Sequence, residues 1–476
     1  MMGARTLGPR KRASRSGART VLLACSVLVT VALVNATNQP DHGVQAIGST
    51  PAVGAGGLHS LVLKSDGTVW SFGYNYYGQL GTSTNNGTGT ANPLPVQVMS
   101  DATAVAAGGL HSLVLKSDGT VWSFGNNFFG QLGTSTSVGQ NANPLPVQVM
   151  SGATAVAAGS NHSLVLKSDG TVWSFGNNAA GQLGTSTNNS TVPVNPLPVQ
   201  VMSGATAVAA GDSHSLVLKS DGTVWSFGNN AYGQLGTSTN NGNGSAVNPL
   251  PVQVMSGATA VAAGGAHSLV LKSDRTVWSF GNNAYGQLGT STNNGNASAP
   301  NPLPVHVMSG ATAVAAGQVH SLVLKSDGTV WSFGNNGSGQ LGTNLYNGPV
   351  PTNPVPLEVV WGAAAVAAGG AHSLVLKSDG TVWSFGNNAY GQLGTTTNNG
   401  NAIAPNPEPV QAVLGVATPS GGDVNGDGVV RVAVLGDSYI SGEGLTAPAT
   451  DAFGNPVSGY DSGTDVGGNT CHRSRT

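Results

Sequence analysis

A serine at the end of an apolar run, a short series of alternating oxygen-bearing side chains, and a histidine that returns at regular intervals are the residues here whose types and spacing could do chemistry. Val429-Val430-Arg431-Val432-Ala433-Val434-Leu435 reads as a buried strand, and Gly436-Asp437-Ser438 follows it directly. A strand ending this way presents Ser438 at its carboxyl end, where the nucleophiles of α/β hydrolytic domains sit. Just upstream, Asp423, Asn425 and Asp427 occupy the first, third and fifth positions of a calcium loop. The twelfth position is Val434, inside the predicted strand, so the bidentate carboxylate of such a loop is missing. The stretch reads either as a weak calcium site or as an Asp/Asn/Gly turn, and no other cofactor is expected.

The recurring histidines are His59, His111, His162, His214, His267, His320 and His372, at steps of 52, 51, 52, 53, 53 and 52 residues. Seven histidines on different units around a disc do not converge on one ion, so a structural hydrogen-bonding role is expected rather than a metal ring. Tyr77, Phe129, Tyr232, Tyr285 and Tyr390 share one slot before the phrase GQLG, but Ala180 and Ser338 fill it elsewhere, which reads as packing rather than a ligand cage. Lys64 and its equivalents stand beside a hairpin turn and are expected to be solvated.

The elements that position these residues follow from the period. Seven units of about 50 residues, each with several short strands, occupy residues 49–415 and read as propeller blades. Gly reaches 71 residues and the charged fraction is 8%, which suits strands and loops better than helices with their Glu- and Lys-rich faces. Each unit divides into four strands: a slim AVAAG for the crowded axis, HSLVLKS, TVWSFG, and a proline-opened PLPVQVM suited to an outer edge. Leu113-Val114-Leu115 is apolar on both faces because a blade is sandwiched between two others, and Trp122 and Phe124 are expected to fill the wider gap further out. Asp-Gly supplies the positive φ of the hairpin between the second and third strands, except where Arg275 follows Asp274.

The phrase HSLVLKSDGTVWSFGNNAYGQLG at residues 372–394 resembles the repeat of the regulator of chromosome condensation family, and the likeness covers all seven units. It implies a seven-bladed β-propeller; the GQLG phrase is foreign to kelch and WD repeats. The stretch around Ser438, with Cys471-His472-Arg473-Ser474 after it, resembles the opening of secreted SGNH/GDSL esterases and lipases. That resemblance makes Ser438 the nucleophile and its backbone N–H part of the oxyanion hole. The family's late Asp-x-x-His, which supplies the general base, has no counterpart in residues 430–476. The expected fold class is therefore all-β, a seven-bladed β-propeller followed, after a linker at 416–429, by a short C-terminal fragment of an α/β (SGNH-like) domain without activity of its own.

The first residues read as an address. Arg5, Arg10, Lys11, Arg12, Arg15 and Arg19 precede an apolar run of 14 residues from Val21 to Val34, and a signal peptide over 1–36, cleaved after Ala36, is expected ahead of a linker at 37–48. An uncleaved anchor is the alternative. Once Cys25 leaves with the signal, Cys471 is the sole cysteine, and an odd cysteine in an exported chain implies a missing partner. Cleavage removes six of the 17 basic residues and none of the 19 acidic ones, leaving 11 against 19 and a net charge of −8. Such a surface repels phosphate backbones, so nucleic acid is not an expected partner.

Two function classes follow. The first is a secreted or cell-surface monomer, free of the membrane after cleavage, whose propeller binds an extracellular protein or polysaccharide; the polar loops between GQLG and NPLP, where the units differ most, would supply the surface. The second is a truncated secreted SGNH/GDSL esterase or lipase whose propeller targets it. The family resemblance also implies chromatin binding and guanine-nucleotide exchange on a small nuclear GTPase, which an export signal and an acidic surface oppose.

Overall fold

The computed structural model describes residues 51–412, apart from 137, 140–141, 189–193, 243–246, 297–298, 346–350 and 402–404, together with Tyr460–Asp461 and Arg473–Ser474. Every regular element among them is a strand. The leader expected over 1–36, the calcium candidates Asp423, Asn425 and Asp427, and Ser438 lie outside the described residues.

Residues 52–411 form seven four-stranded antiparallel sheets, each built from consecutive strands. In the first blade these are β1 (Ala52–Ala55), β2 (His59–Leu63), β3 (Val69–Gly73) and β4 (Asn92–Met99), paired in that order. Blades 2 to 7 repeat the plan over residues 102–150, 153–202, 205–255, 258–308, 311–360 and 363–411. Small side chains put the first strand at the axis, where seven sheets converge; Gly54, Ala55, the alanines of the other blades and valines such as Val156 line a narrow shaft there. The proline-opened strand is outermost, where missing amide donors face no further strand.

Apolar burial is distributed between blades rather than gathered in one mass. Leu61, Leu63 and Val69 of blade 1 pack against Val105, Val114 and Phe124 of blade 2, and the same arrangement recurs around the ring. The seven phenylalanines of this set, Phe72 to Phe385, are fully buried, so each fills a blade-to-blade gap as expected. The tryptophans pack against the same clusters as expected, nearer their edge. Trp122 is half-buried, and its indole Nε1 donates to Thr120 Oγ1 at 3.0 Å.

The lysines are not simply solvated. Lys64 Nζ lies 4.2 Å from the centre of the Trp70 ring, and each blade repeats the contact, at 4.1 Å for Lys325 over Trp331 and 5.4 Å for Lys116 over Trp122. Register explains it: Lys64 is bonded across the hairpin to Thr68, which makes Trp70 its diagonal neighbour on the same face. At the fifth hairpin Arg275 adopts φ 65°, the left-handed conformation that glycine takes in the other six.

Residues Val413–Thr476 form a separate unit, in which Tyr460 pairs with Ser474 and Asp461 with Arg473 in an antiparallel ladder.

Candidate functional site

The strand order puts the Gly-x-x-His turns and the long connections from third to fourth strand on one face of the disc, the upper face. The Asp-Gly hairpins and the turns between blades lie on the lower one. The upper face is held by a relay that begins with the histidines. His59 Nε2 lies 2.9 Å from Ser112 Oγ of the next blade, and Ser112 Oγ donates to the carbonyl of Gln79, in the GQLG phrase of the first blade, at 2.8 Å. Because the serine hydroxyl proton is committed to that carbonyl, the histidine must donate from Nε2, leaving Nδ1 as a bare acceptor. Each of the seven Nδ1 atoms is buried without a hydrogen-bond partner, and the ring stands against an axial glycine: a Cβ on Gly56 would meet His59 Cε1 at 2.5 Å.

The seventh link closes the circle. His372 Nε2 lies 2.9 Å from Ser60 Oγ, which donates to the Gln392 carbonyl at 2.8 Å. Burial, with repulsion from neighbouring ring histidines at several positions, pushes these imidazoles down to about 3, or about 4 for His214 and His372. They are neutral structural donors, in keeping with the role expected from sequence.

Inside this ring lies a second, made of backbone. The amide of Gly57 donates to the carbonyl of Gly108, that of Gly109 to Gly159, and so on to Gly370, which donates to Gly56 at 3.0 Å. The donors of this ring and the residues after them differ from blade to blade: Gly57-Leu58, Gly109-Leu110, Ser160-Asn161, Asp212-Ser213, Gly265-Ala266, Gln318-Val319 and Gly370-Ala371. The seven donors, with Leu58 and Leu110, surround an axial cup of about 300 Å³ that opens on the upper face. Sequence reasoning placed the differences between units mainly in the loops after GQLG and missed these pairs, although each stands beside an otherwise fixed Gly and His.

The cup is asymmetric. Leu58 and Leu110 give it an apolar wall, while Ser160, Asp212 and Gln318 give it a polar one. Burial holds the Asp212 carboxyl above the usual carboxylate range, opposed in part by a hydrogen bond from the Gln318 side chain.

Further out, the seam between blades 7 and 1 breaks the repeat. In blades 2 to 7 an asparagine after the third strand accepts a hydrogen bond from the GQLG glutamine, as Asn126 Oδ1 does from Gln131 Nε2 at 2.7 Å. Blade 1 has Tyr74 at that position, and Gln79 Nε2 is buried without a partner. Tyr74 stacks with Tyr76 at 6.1 Å between ring centres and meets Tyr390 at 4.6 Å, while Tyr76 meets Tyr77 at 4.9 Å. Tyr76 is 40% exposed. The slot read as packing is therefore, at this seam, part of a four-tyrosine cluster on the upper face.

Seven four-stranded blades, closed by a histidine–serine relay around an axial cup, define a seven-bladed β-propeller. The chain belongs to the regulator of chromosome condensation (RCC1) family: an RCC1-like domain matches residues 32–364, and RCC1 repeats match residues 363–392 and 379–424. It is 30% identical over 350 residues to the regulator of chromosome condensation of Xenopus laevis, covering 69% of this chain and 81% of that protein. It is 30% identical over 361 residues to the ultraviolet-B receptor UVR8 of Arabidopsis thaliana, covering 72% and 78%. Human HERC6, a probable E3 ubiquitin-protein ligase, is 33% identical over 291 residues, 59% of this chain; the chain spans only 28% of that protein, and 7% of human HERC2. Prp20p of Saccharomyces cerevisiae shares the fold with a TM-score of 0.61 at 22% identity, covering 74% of this chain and 87% of that one.

Proposed function

We propose that this chain is a protein-binding propeller, exported from its cell, that engages its partner through the upper face. The observation that carries the reading is Tyr74. Six blades keep a buried or half-buried asparagine–glutamine hydrogen bond, and the first gives it up, leaving Gln79 Nε2 unpaired, in exchange for a surface tyrosine cluster. An orphaned buried donor costs about 1–3 kcal/mol, and a departure from local consistency of this kind marks functional sites. Tyrosine clusters suit protein contacts because they offer large, stiff, amphipathic area at low entropic cost. The yeast relative Prp20p, whose structure was described with its binding to Gsp1p and histones, supports protein recognition as the kind of task this fold performs. Export is argued from the basic residues ahead of the apolar run Val21 to Val34.

Site-specific photo-crosslinking in the producing cells and their medium tests the reading. A photoreactive residue at Tyr76 is expected to yield one dominant protein adduct, recovered outside the cell, while one at Ser117 on the lower face yields none. Equal adducts from both positions, adducts from Ser117 alone, or none from either would overturn the assignment.

A further inference from the structure

We propose that the axial cup is a binding site for a single alkyl cation, of the kind carried by a lysine or arginine side chain of the partner protein. The proposal rests on the upper face being the binding face and names the chemistry its centre accepts. Size comes first: about 300 Å³ holds one long side chain, whereas a helix about 10 Å across has no entry. Charge comes second. Asp212 is the one ionisable residue lining the cup; its neighbour Gln318 donates a hydrogen bond, and the ion pair found among the described residues, Lys116 with Asp101 at 3.9 Å, lies elsewhere.

A partly buried carboxylate without a counter-charge is under-stabilised, and a cation entering the cup supplies the missing partner. Access is preserved by Gly265, where a Cβ would stand 3.1 Å from Asp212 Oδ2. Leu58 lies three blades round the ring from Asp212, across the axis, so a methylene stem can pack on leucine while its charged end meets the carboxylate. A compact ion would leave the leucine wall unused, and a neutral alkyl chain would leave the carboxylate unpaired.

Titration of the full chain with Nα-acetyl-lysine methylamide, followed by amide chemical shifts, reads the site directly, with Nα-acetyl-norleucine methylamide as the neutral isostere. The lysine probe is expected to shift the amides of residues 212 and 265 and to bind about tenfold more tightly than the norleucine probe. Asp212→Asn should erase that difference, and Leu58→Ser should weaken both probes. Leu110→Arg, which places a cation in the cup from within, should block the lysine probe and serves if Asp212→Asn does not fold. Equal binding of the two probes, an unchanged lysine affinity in Asp212→Asn, or no shift at residues 212 and 265 would overturn the proposal. Top-face crosslinks that persist alongside such a result would leave the face assignment standing and remove the cup alone.

Discussion

Single residues carry both the closure of this molecule and its exceptions. The seven relay histidines are neutral in the fold, held at about 3 to 4 by burial, against an ordinary value of 6.5. Well above pH 6.5, from about pH 7.5 upward, neither folded nor unfolded chain protonates them appreciably, so the fold loses nothing. As the pH falls from 6.5 towards 4 the unfolded chain takes up protons that the folded chain refuses, and each histidine removes about 1.4 kcal/mol per pH unit. Seven acting together remove about 10 kcal/mol per unit, comparable with the whole stability of a domain. Cooperative unfolding is therefore expected on acidification, with a midpoint between about pH 4 and 5.5 and a steepness that falls by about one proton in His162→Gln. Circular dichroism across this range checks it; a fold unchanged down to pH 4 would contradict the buried neutral ring. Tyr74 gives a second expectation. Tyr74→Asn restores an acceptor to Gln79 Nε2 and should raise stability by about 0.5–1.5 kcal/mol in denaturant titration while weakening capture of the partner, an exchange of function for stability. Lower stability, or unaltered capture, would count against the role given to the tyrosine cluster.

At the scale of the element, the strands were legible because each obeys one local demand: alanine at the axis, apolar residues on both faces in the middle, proline at the edge. The fifth hairpin is the point where a local rule fails within a strand pair. Arg275 stands at φ 65°, with its amide bonded to the Lys272 carbonyl at 2.9 Å, so the turn keeps its geometry and carries the strain. Arg275→Gly is expected to raise stability by about 1 kcal/mol, seen as a higher midpoint in urea without a change of slope; an unchanged midpoint would mean the turn relaxes around arginine at no cost. The cation–π pairs were hidden for a different reason. Lysine and tryptophan are six residues apart, and only the hairpin register makes them diagonal neighbours. The relay was hidden because it joins one unit to the next: a histidine, a glutamine and a serine all present in every repeat do not reveal which copy meets which. The variable pairs beside the axial glycines were open to view as sequence, but their meeting around a cup depends on closure of the ring.

At the scale of the whole molecule, the seam between the last and first blades carries the same histidine–serine relay as the other six junctions and adds the Tyr74–Tyr390 contact. Among the described residues, Ser60, His372 and Gln392 make that closure as their counterparts do in the other blades. On the reading proposed above, identity between blades serves the scaffold, while difference, at Tyr74 and around the cup, serves recognition. The most direct measurement of that division is the affinity of the crosslinked partner, once purified, for two triple variants. One alters the upper face, Tyr76→Ala with Leu58→Ser and Asp212→Asn; the other alters the lower face, Asp118→Ala with Arg275→Gly and Trp361→Ala. The upper-face variant is expected to lose at least about a hundredfold in affinity, and the lower-face variant less than about threefold. The reverse order, or equal losses, would contradict the account.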